Sequence, residues 1–376
     1  TGADQMWLSM ATARVLSAKM ERTGRLRPLD HMHLEALGAS ISIDIQKAGE
    51  LPIPALRRLG RWLNTDVLLI GRVGRAHERD RARELVGSGT VSKERPEGAE
   101  VWVAARLYGY PDGVSLGSAF VEGTEDGLFE LYDGLTQQIL ERLSVPETHS
   151  IRAYGRPTHS VEAFRLISQA NESFASNTTD EKPRQGSVQA FQRALRIDPA
   201  YGDAHRLKGH ILQAQGDTDG ARSAFGQAAA LDPADPQSRW SLARLARAVG
   251  DPSAEAAALT AVLGTQPEDD RAIARLAQLH VEAGRYSEAR RDYDRALSLS
   301  NREPERLAEV ATFLLELGEP AGAEGLYRQA IQIEPGNPDH HLGMIVARTH
   351  QGHLPEAEQA LEDAVTIGSE SADLWL

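Results

Sequence analysis

The sequence predicts a chain in two parts: a small α/β domain, a sheet with flanking helices, followed by an all-α solenoid of stacked helix pairs. Three observations carry that prediction. Gly216, Gly250, Gly284, Gly318 and Gly352 follow one another at intervals of 34 residues, and a fixed period of this size marks a stack of supersecondary units. Each glycine separates two amphipathic stretches of about a dozen residues, long enough for roughly three helical turns. Upstream the period is lost, and Val101–Tyr108 and Val114–Glu122 instead alternate apolar and polar side chains around turn residues, the pattern of strands.

Taken in order, Ala11–Thr23 reads as a helix and Leu26–Leu29 as a short strand. Pro54–Asn64 is amphipathic and helical, and it runs into the apolar, β-branched strand Asp66–Val73. Gly74–Glu100 is charged and glycine-rich, which reads as a long hairpin tip or a disordered loop. Val101–Tyr108 and Val114–Glu122 alternate around Pro111-Asp112-Gly113, a hairpin with turn chemistry at its tip. Leu128–Leu143 carries Leu128, Leu131, Leu135, Ile139 and Leu143 on one stripe of a helix. The boundaries follow: 1–146 for the α/β domain, 147–158 for a linker, 159–371 for six repeats and 372–376 for the start of a further one. The first repeat is irregular, its opening helix Ser160–Ala175 being followed by an inserted polar stretch at 176–186.

The repeats share more than the glycine. Nine residues after it stand Phe225, Leu259, Tyr293, Tyr327 and Leu361, and three further on Ala228, Val262, Ala296, Ala330 and Ala364. Pro199, Pro233, Pro267 and Pro335 close four of the units, and Phe191 and Ala194 keep the register one unit earlier. Small residues of the first helix (Gly209, Ala243, Ala277, Ala311) meet small residues of the second (Ala221, Ala289, Ala323), which lets two helices approach closely. The glycine supplies the left-handed turn between them. This set of offsets resembles the tetratricopeptide repeat family.

A second resemblance covers residues 5–143. The runs LRRLGRWLNTDVLLIGRVGR, VWVAARLYGYPDGVSLGSAFVEGT and LFELYDGLTQQILERL are similar to the TolB amino-terminal-like domain, a module related to FlgO- and CsgG-type components of bacterial envelopes. Asp66, Gly71, Arg106, Leu107, Gly113 and the helix from Leu128 carry the match. That family opens on a strand that would precede residue 1. With Thr at position 1 and Trp375 in the register of a seventh unit, the expectation is a chain that extends on both sides. The resemblance implies a periplasmic or envelope location, with the cytoplasm as the alternative. It also implies two readings of the whole: a non-catalytic scaffold, or the sensory half of a larger kinase, class III cyclase or winged-helix regulator.

Composition narrows the chemistry. The formal net charge is −13, most of it in residues 151–376, whereas general nucleic-acid binding needs a basic footprint. There is no cysteine, which excludes disulfides, thiolate metal sites and a cysteine nucleophile within the sequence. No apolar run reaches the ~18 residues of a membrane span. Gly71-Arg72-Val73-Gly74 lacks the third glycine and the following helix of a dinucleotide loop, and neither a Gly-x-Ser-x-Gly elbow nor a His-Glu-x-x-His pair is present. His31 with His33 reads as a polar helix start, and His340, His341, His350 and His353 as solvated helix ends, a loose metal patch being the alternative. No catalytic residue, cofactor or metal is expected.

The tetratricopeptide resemblance implies an inner surface lined by the first helices. In the second to fourth units those positions hold Arg206, His210, Gln213, Trp240, Ser241, Arg244, Arg247, Arg271, Arg275 and Gln278. Their pattern resembles a carboxylate clamp, with Arg206, Arg271 and Arg275 at the cationic positions and His210 and Ser241 where the clamp carries asparagines. Guanidinium forks suit carboxylates, so the expected partner is a protein or peptide, acidic or offering a C-terminal carboxylate. The competing reading pairs these arginines with acidic neighbours such as Asp203, Glu282 or Glu305.

Overall fold

The computed structural model describes residues 3–21, 26, 65–87, 89–91, 94–110, 113–145, 157–175, 185–300 and 303–373. The expected strand from Leu26 and the helix Pro54–Asn64 fall almost wholly outside these, as do His31, His33, Trp375 and most of the insertion at 176–186. The chain divides into two compact units, Thr1–Asp232 and Pro233–Leu376.

The N-terminal unit begins with helix α1 (Ala3–Glu21), which starts eight residues earlier than the sequence suggests. Strands β1 (Val67–Arg75), β2 (Val101–Gly109) and β3 (Val114–Gly123) form an antiparallel sheet in the order β1-β2-β3. Leu69 pairs with Leu107 and Val103 with Val121, and a register shift at Leu107/Tyr108 marks a bulge beside the hairpin. Helix α2 (Arg79–Val86) corrects the expectation of a loop over 74–100. Only Ala82, Leu85 and Val86 are apolar in it, too few to read as a stripe, yet all three are buried. They pack with Ile70, Trp102, Ala104, Tyr108 and Phe120 on one face of the sheet. Arg79 pins the start of the helix with a forked pair to Glu122, its Nε 2.6 Å and its terminal nitrogen 2.5 Å from the carboxylate.

Val101, Val103, Ala105 and Leu107 point from β2 to the opposite face, as the two-residue period of a strand requires. There they meet α1 and helix α3 (Leu128–Arg142) through Trp7, Leu8, Leu128, Tyr132, Leu135 and Ile139. The same core continues into the first helix pairs, α4 (Val161–Ala175) with α5 (Gln185–Ile197) and α6 (Gly202–Ala214) with α7 (Thr218–Leu231). Phe164 of α4 packs edge-on against Phe129 at 5.2 Å and Tyr132 at 6.4 Å, geometry that aromatic quadrupoles favour. Burial pushes the Tyr132 phenol well above its usual range, against the opposing pull of its hydrogen bond with the Thr12 hydroxyl.

The C-terminal unit is a run of four helix pairs: α8 (Pro236–Ala248) with α9 (Pro252–Thr265), and α10 (Asp270–Glu282) with α11 (Tyr286–Leu299). Then come α12 (Pro304–Glu316) with α13 (Pro320–Ile333), and α14 (Pro338–His350) with α15 (Leu354–Asp373). Each ladder glycine has a positive φ, 72° at Gly250 and 71° at Gly284. Beyond it the chain turns back: Arg285 N–H donates to the His280 carbonyl at 2.8 Å and Glu319 N–H to Leu314 at 2.8 Å. These bonds satisfy carbonyls that a helix end leaves open. Asp235, Asp251, Asp269 and Asn337 cap the helices that follow. Each core cluster joins one pair to the next first helix, as when Tyr293 of α11 packs 4.8 Å from Phe313 of α12.

Candidate functional site

In the N-terminal unit the three candidates are all packed against neighbours. Arg206 forms an ion pair with Asp203 one turn earlier on α6, and Arg14 of α1 reaches the same carboxylate at 3.3 Å. Burial disfavours the charge on Asp203, but Arg206 and Arg14 outweigh it and hold the carboxyl below its usual range. The His210 ring lies 4.9 Å from Phe225 and 6.5 Å from Phe174, and Gln213 is half-buried.

The C-terminal unit holds the other seven, and they separate into two groups. Arg275 lays a fork on Glu255 of α9, with Nε 2.6 Å from one oxygen and a terminal nitrogen 2.9 Å from the other. It also donates to Gln278 at 2.6 Å and to Glu282 at 3.3 Å. Ser241 is buried and donates to the Gln237 carbonyl at 3.0 Å. These are contacts of the fold.

The second group faces solvent. The Arg271 guanidinium sits 5.9 Å from the centre of the Trp240 ring, and its side chain keeps 55% of its surface exposed. Its nearest carboxylate, Asp269, is 3.9 Å away and already accepts a hydrogen bond from Trp240 Nε1 at 3.2 Å. Asp269 also caps α10, so one buried-side carboxylate orients the indole, while the indole carries the arginine. Arg244, one turn after Trp240 on α8, is exposed and reaches the Ser241 hydroxyl at 3.3 Å. Arg247 lies on the same stripe, exposed and without an ion pair among the described residues. Trp240, Arg244 and Arg247 follow at i, i+4 and i+7, so α8 shows one cationic edge.

The same register, carried further along the C-terminal unit, reaches residues that the sequence reading stopped short of. Leu342 and Val346 of α14 occupy the helix positions of Trp240 and Arg244 and are 58% and 37% exposed. The signal was the 34-residue period itself, read only to the fourth unit.

Two of the four C-terminal histidines differ from expectation. His340 and His341 are buried rather than solvated, because both rings turn back onto the preceding connection. His340 Nε2 lies 3.2 Å from Glu334, and His341 Nε2 donates to the Pro335 carbonyl at 2.9 Å. His350 and His353 are exposed. Among the described residues no group of three or more His, Cys, Asp or Glu side chains is placed to hold a metal. None of the described helices is long and apolar enough to cross a membrane.

Comparison with known proteins matches the helix pairs. A tetratricopeptide repeat family model matches residues 185–238, 206–270, 241–304 and 274–338, and a second one matches 314–375. No curated protein matches the chain. Similar solved structures include MamA, 19% identical over 46% of this chain and 96% of that one, with a TM-score of 0.42. PilF of Pseudomonas aeruginosa is 17% identical over 57% of this chain and 92% of its own, with a TM-score of 0.45. YrrB, described as a tetratricopeptide repeat protein with an unusual peptide-binding site, is 16% identical over 47% of this chain and 92% of its own, with a TM-score of 0.40.

Proposed function

We propose that this chain, which belongs over residues 185–375 to the tetratricopeptide repeat family, is a non-catalytic interaction scaffold that holds an acidic segment of a partner protein. The segment lies on the first-helix face of α8 and α10. The observation that carries this reading is the Arg271 guanidinium, held over Trp240 and left with more than half its surface exposed beside Arg244 and Arg247. A carboxylate arriving there meets a charge whose position is already set by stacking, so little side-chain freedom is lost on binding. Stacked helix pairs offer a long surface and no catalytic geometry, which favours a scaffold over an enzyme.

The test is titration calorimetry of the whole chain with a glutamate-rich peptide. Reversing charge in the pair Arg244→Glu and Arg271→Glu is expected to weaken binding more than tenfold, and raised salt to weaken the unchanged protein. Equal affinity in the double variant sinks the reading.

The location we propose is the bacterial cell envelope, on the resemblance of residues 5–143 to the TolB amino-terminal-like domain. The strand, hairpin and helix named by that resemblance are the elements β1, β2–β3 and α3. Fractionation of cells that make the protein from its own gene tests this. Recovery with periplasm or membranes supports it, and recovery only with the cytoplasmic fraction contradicts it.

A further inference from the structure

We infer that Asp269 is the positioning residue of this site: it holds the Trp240 indole, and through it the Arg271 guanidinium, in the arrangement that receives a carboxylate. This role rests on the acidic-segment reading and names the residue on which that surface depends. Its consequence runs against simple charge, since removing a negative group should weaken the binding of an acidic segment.

Comparison with the cap one period earlier separates this role from capping. Asp235, ahead of α8, uses both oxygens on its own helix: Oδ1 accepts from Gln237 N–H at 3.2 Å, and Oδ2 from Ser238 N–H at 3.3 Å. Asp269 caps α10 with Oδ1 alone, which accepts from Ala272 N–H at 3.0 Å. Its Oδ2 reaches back to α8 and accepts the Trp240 indole N–H at 3.2 Å. Capping asks for a single acceptor, which serine or asparagine supplies as well. Two acceptors aimed at different helices ask for a carboxylate, which carries no donor to oppose either bond.

The Asp269 side chain is 5% exposed, and Arg271 approaches it through Nε at 3.9 Å, beyond hydrogen-bond distance. What the arginine rests on is the ring, with its centre 5.9 Å away. That ring is held on two sides. Its body packs against the core of Ala243, Leu259 and Val262, and its N–H edge is tied to Asp269. With the tie in place the indole and the guanidinium on it are ordered before a ligand arrives, so binding loses less side-chain freedom. By charge Asp269 opposes an acidic ligand, and by position it prepares the surface for one. The two effects have opposite signs, so they can be told apart.

Titration of the full chain with a glutamate-rich peptide, in a double-mutant cycle of Asp269→Asn and Trp240→Phe, tests this. Asparagine keeps the cap but has one acceptor oxygen, so the indole N–H loses its partner. Phenylalanine keeps a ring beneath Arg271 but has no N–H for Asp269 to hold. Asp269→Asn is expected to weaken binding about fivefold in the otherwise unchanged chain. In the Trp240→Phe background the same substitution should leave binding equal or tighter. The indole N–H resonance of Trp240, assigned by its absence in Trp240→Phe, should shift in Asp269→Asn. Asp269→Ser, which also caps the helix, should weaken binding to a similar degree. Tighter binding in Asp269→Asn gives the residue a purely electrostatic role and overturns the inference. Equal weakening in both backgrounds assigns it to the fold alone and overturns the inference too, as does unchanged binding. In each of these cases the unsubstituted protein still binds the peptide and the scaffold reading stands. No binding by the unsubstituted protein overturns both.

Discussion

Arg271 and Arg275 stand one turn apart on α10 and are chemically identical, yet their surroundings divide their roles. Arg275 is 13% exposed and forks onto Glu255, which is itself 5% exposed at its side chain. Arg271 is 55% exposed and rests on an indole. Arg275→Gln should therefore cost roughly 3 kcal/mol of stability, since it strands a buried carboxylate. Arg271→Gln should stay within about 0.5 kcal/mol, as exposed substitutions do. Denaturant unfolding of the two variants checks both. The sequence set these arginines in one row but could not separate them, because the partner of Arg275 is Glu255, twenty residues away on the preceding helix. The offset that marks an inner-surface position says nothing about which acidic side chain reaches it. The burial of His340 and His341 was hidden for a similar reason, since it depends on the path of the chain over Glu334 and Pro335.

Among the elements, the helix pairs were legible because they repeat one solution. Phe225, Leu259, Tyr293 and Tyr327 are all buried, at 0%, 0%, 6% and 4% exposure, and the residue three positions after each is buried too. Close approach between helices makes a sharp prediction here. A Cβ on Gly343 of α14 would meet the Tyr327 ring of α13 at 2.2 Å, whereas at Gly336, in the connection before α14, it would meet nothing within 4 Å. Gly343→Ala should accordingly destabilise by about 1–3 kcal/mol through overpacking. Gly336→Ala should be neutral or slightly stabilising by up to about 1 kcal/mol. Thermal unfolding followed by circular dichroism reads the difference between them. Helix α2 was not legible, and the reason is physical. Its eight residues carry five charges, and its three apolar side chains find their partners only once the sheet exists. Propensity and periodicity cannot see a helix that is held by Trp102 and Phe120 from strands further along the chain.

At the scale of the whole chain, the two parts expected from the sequence are both present. The expected linker at 147–158 falls almost wholly outside the described residues, but the packing on either side of it is continuous. A single buried core runs from Trp7 through the sheet and α3 into Phe164, Tyr201 and Ile211 of the first repeats. The Arg14–Asp203 pair and the Phe164 aromatic contacts reinforce it. Such long-range packing has no signature in a period of 34, which reports only neighbouring repeats. What the period does specify is the common register of the first helices, and the functional reading depends on it. Photocrosslinking tests that reading most directly. A glutamate-rich peptide bearing a photoreactive side chain is bound to the full chain, irradiated, and the crosslinked residues are identified by mass spectrometry. Adducts are expected on the exposed side of α8 and α10, around Trp240, Arg244 and Arg271, and they should disappear at high salt. Adducts confined to the second helices or to the sheet, with none on α8 or α10, would contradict it.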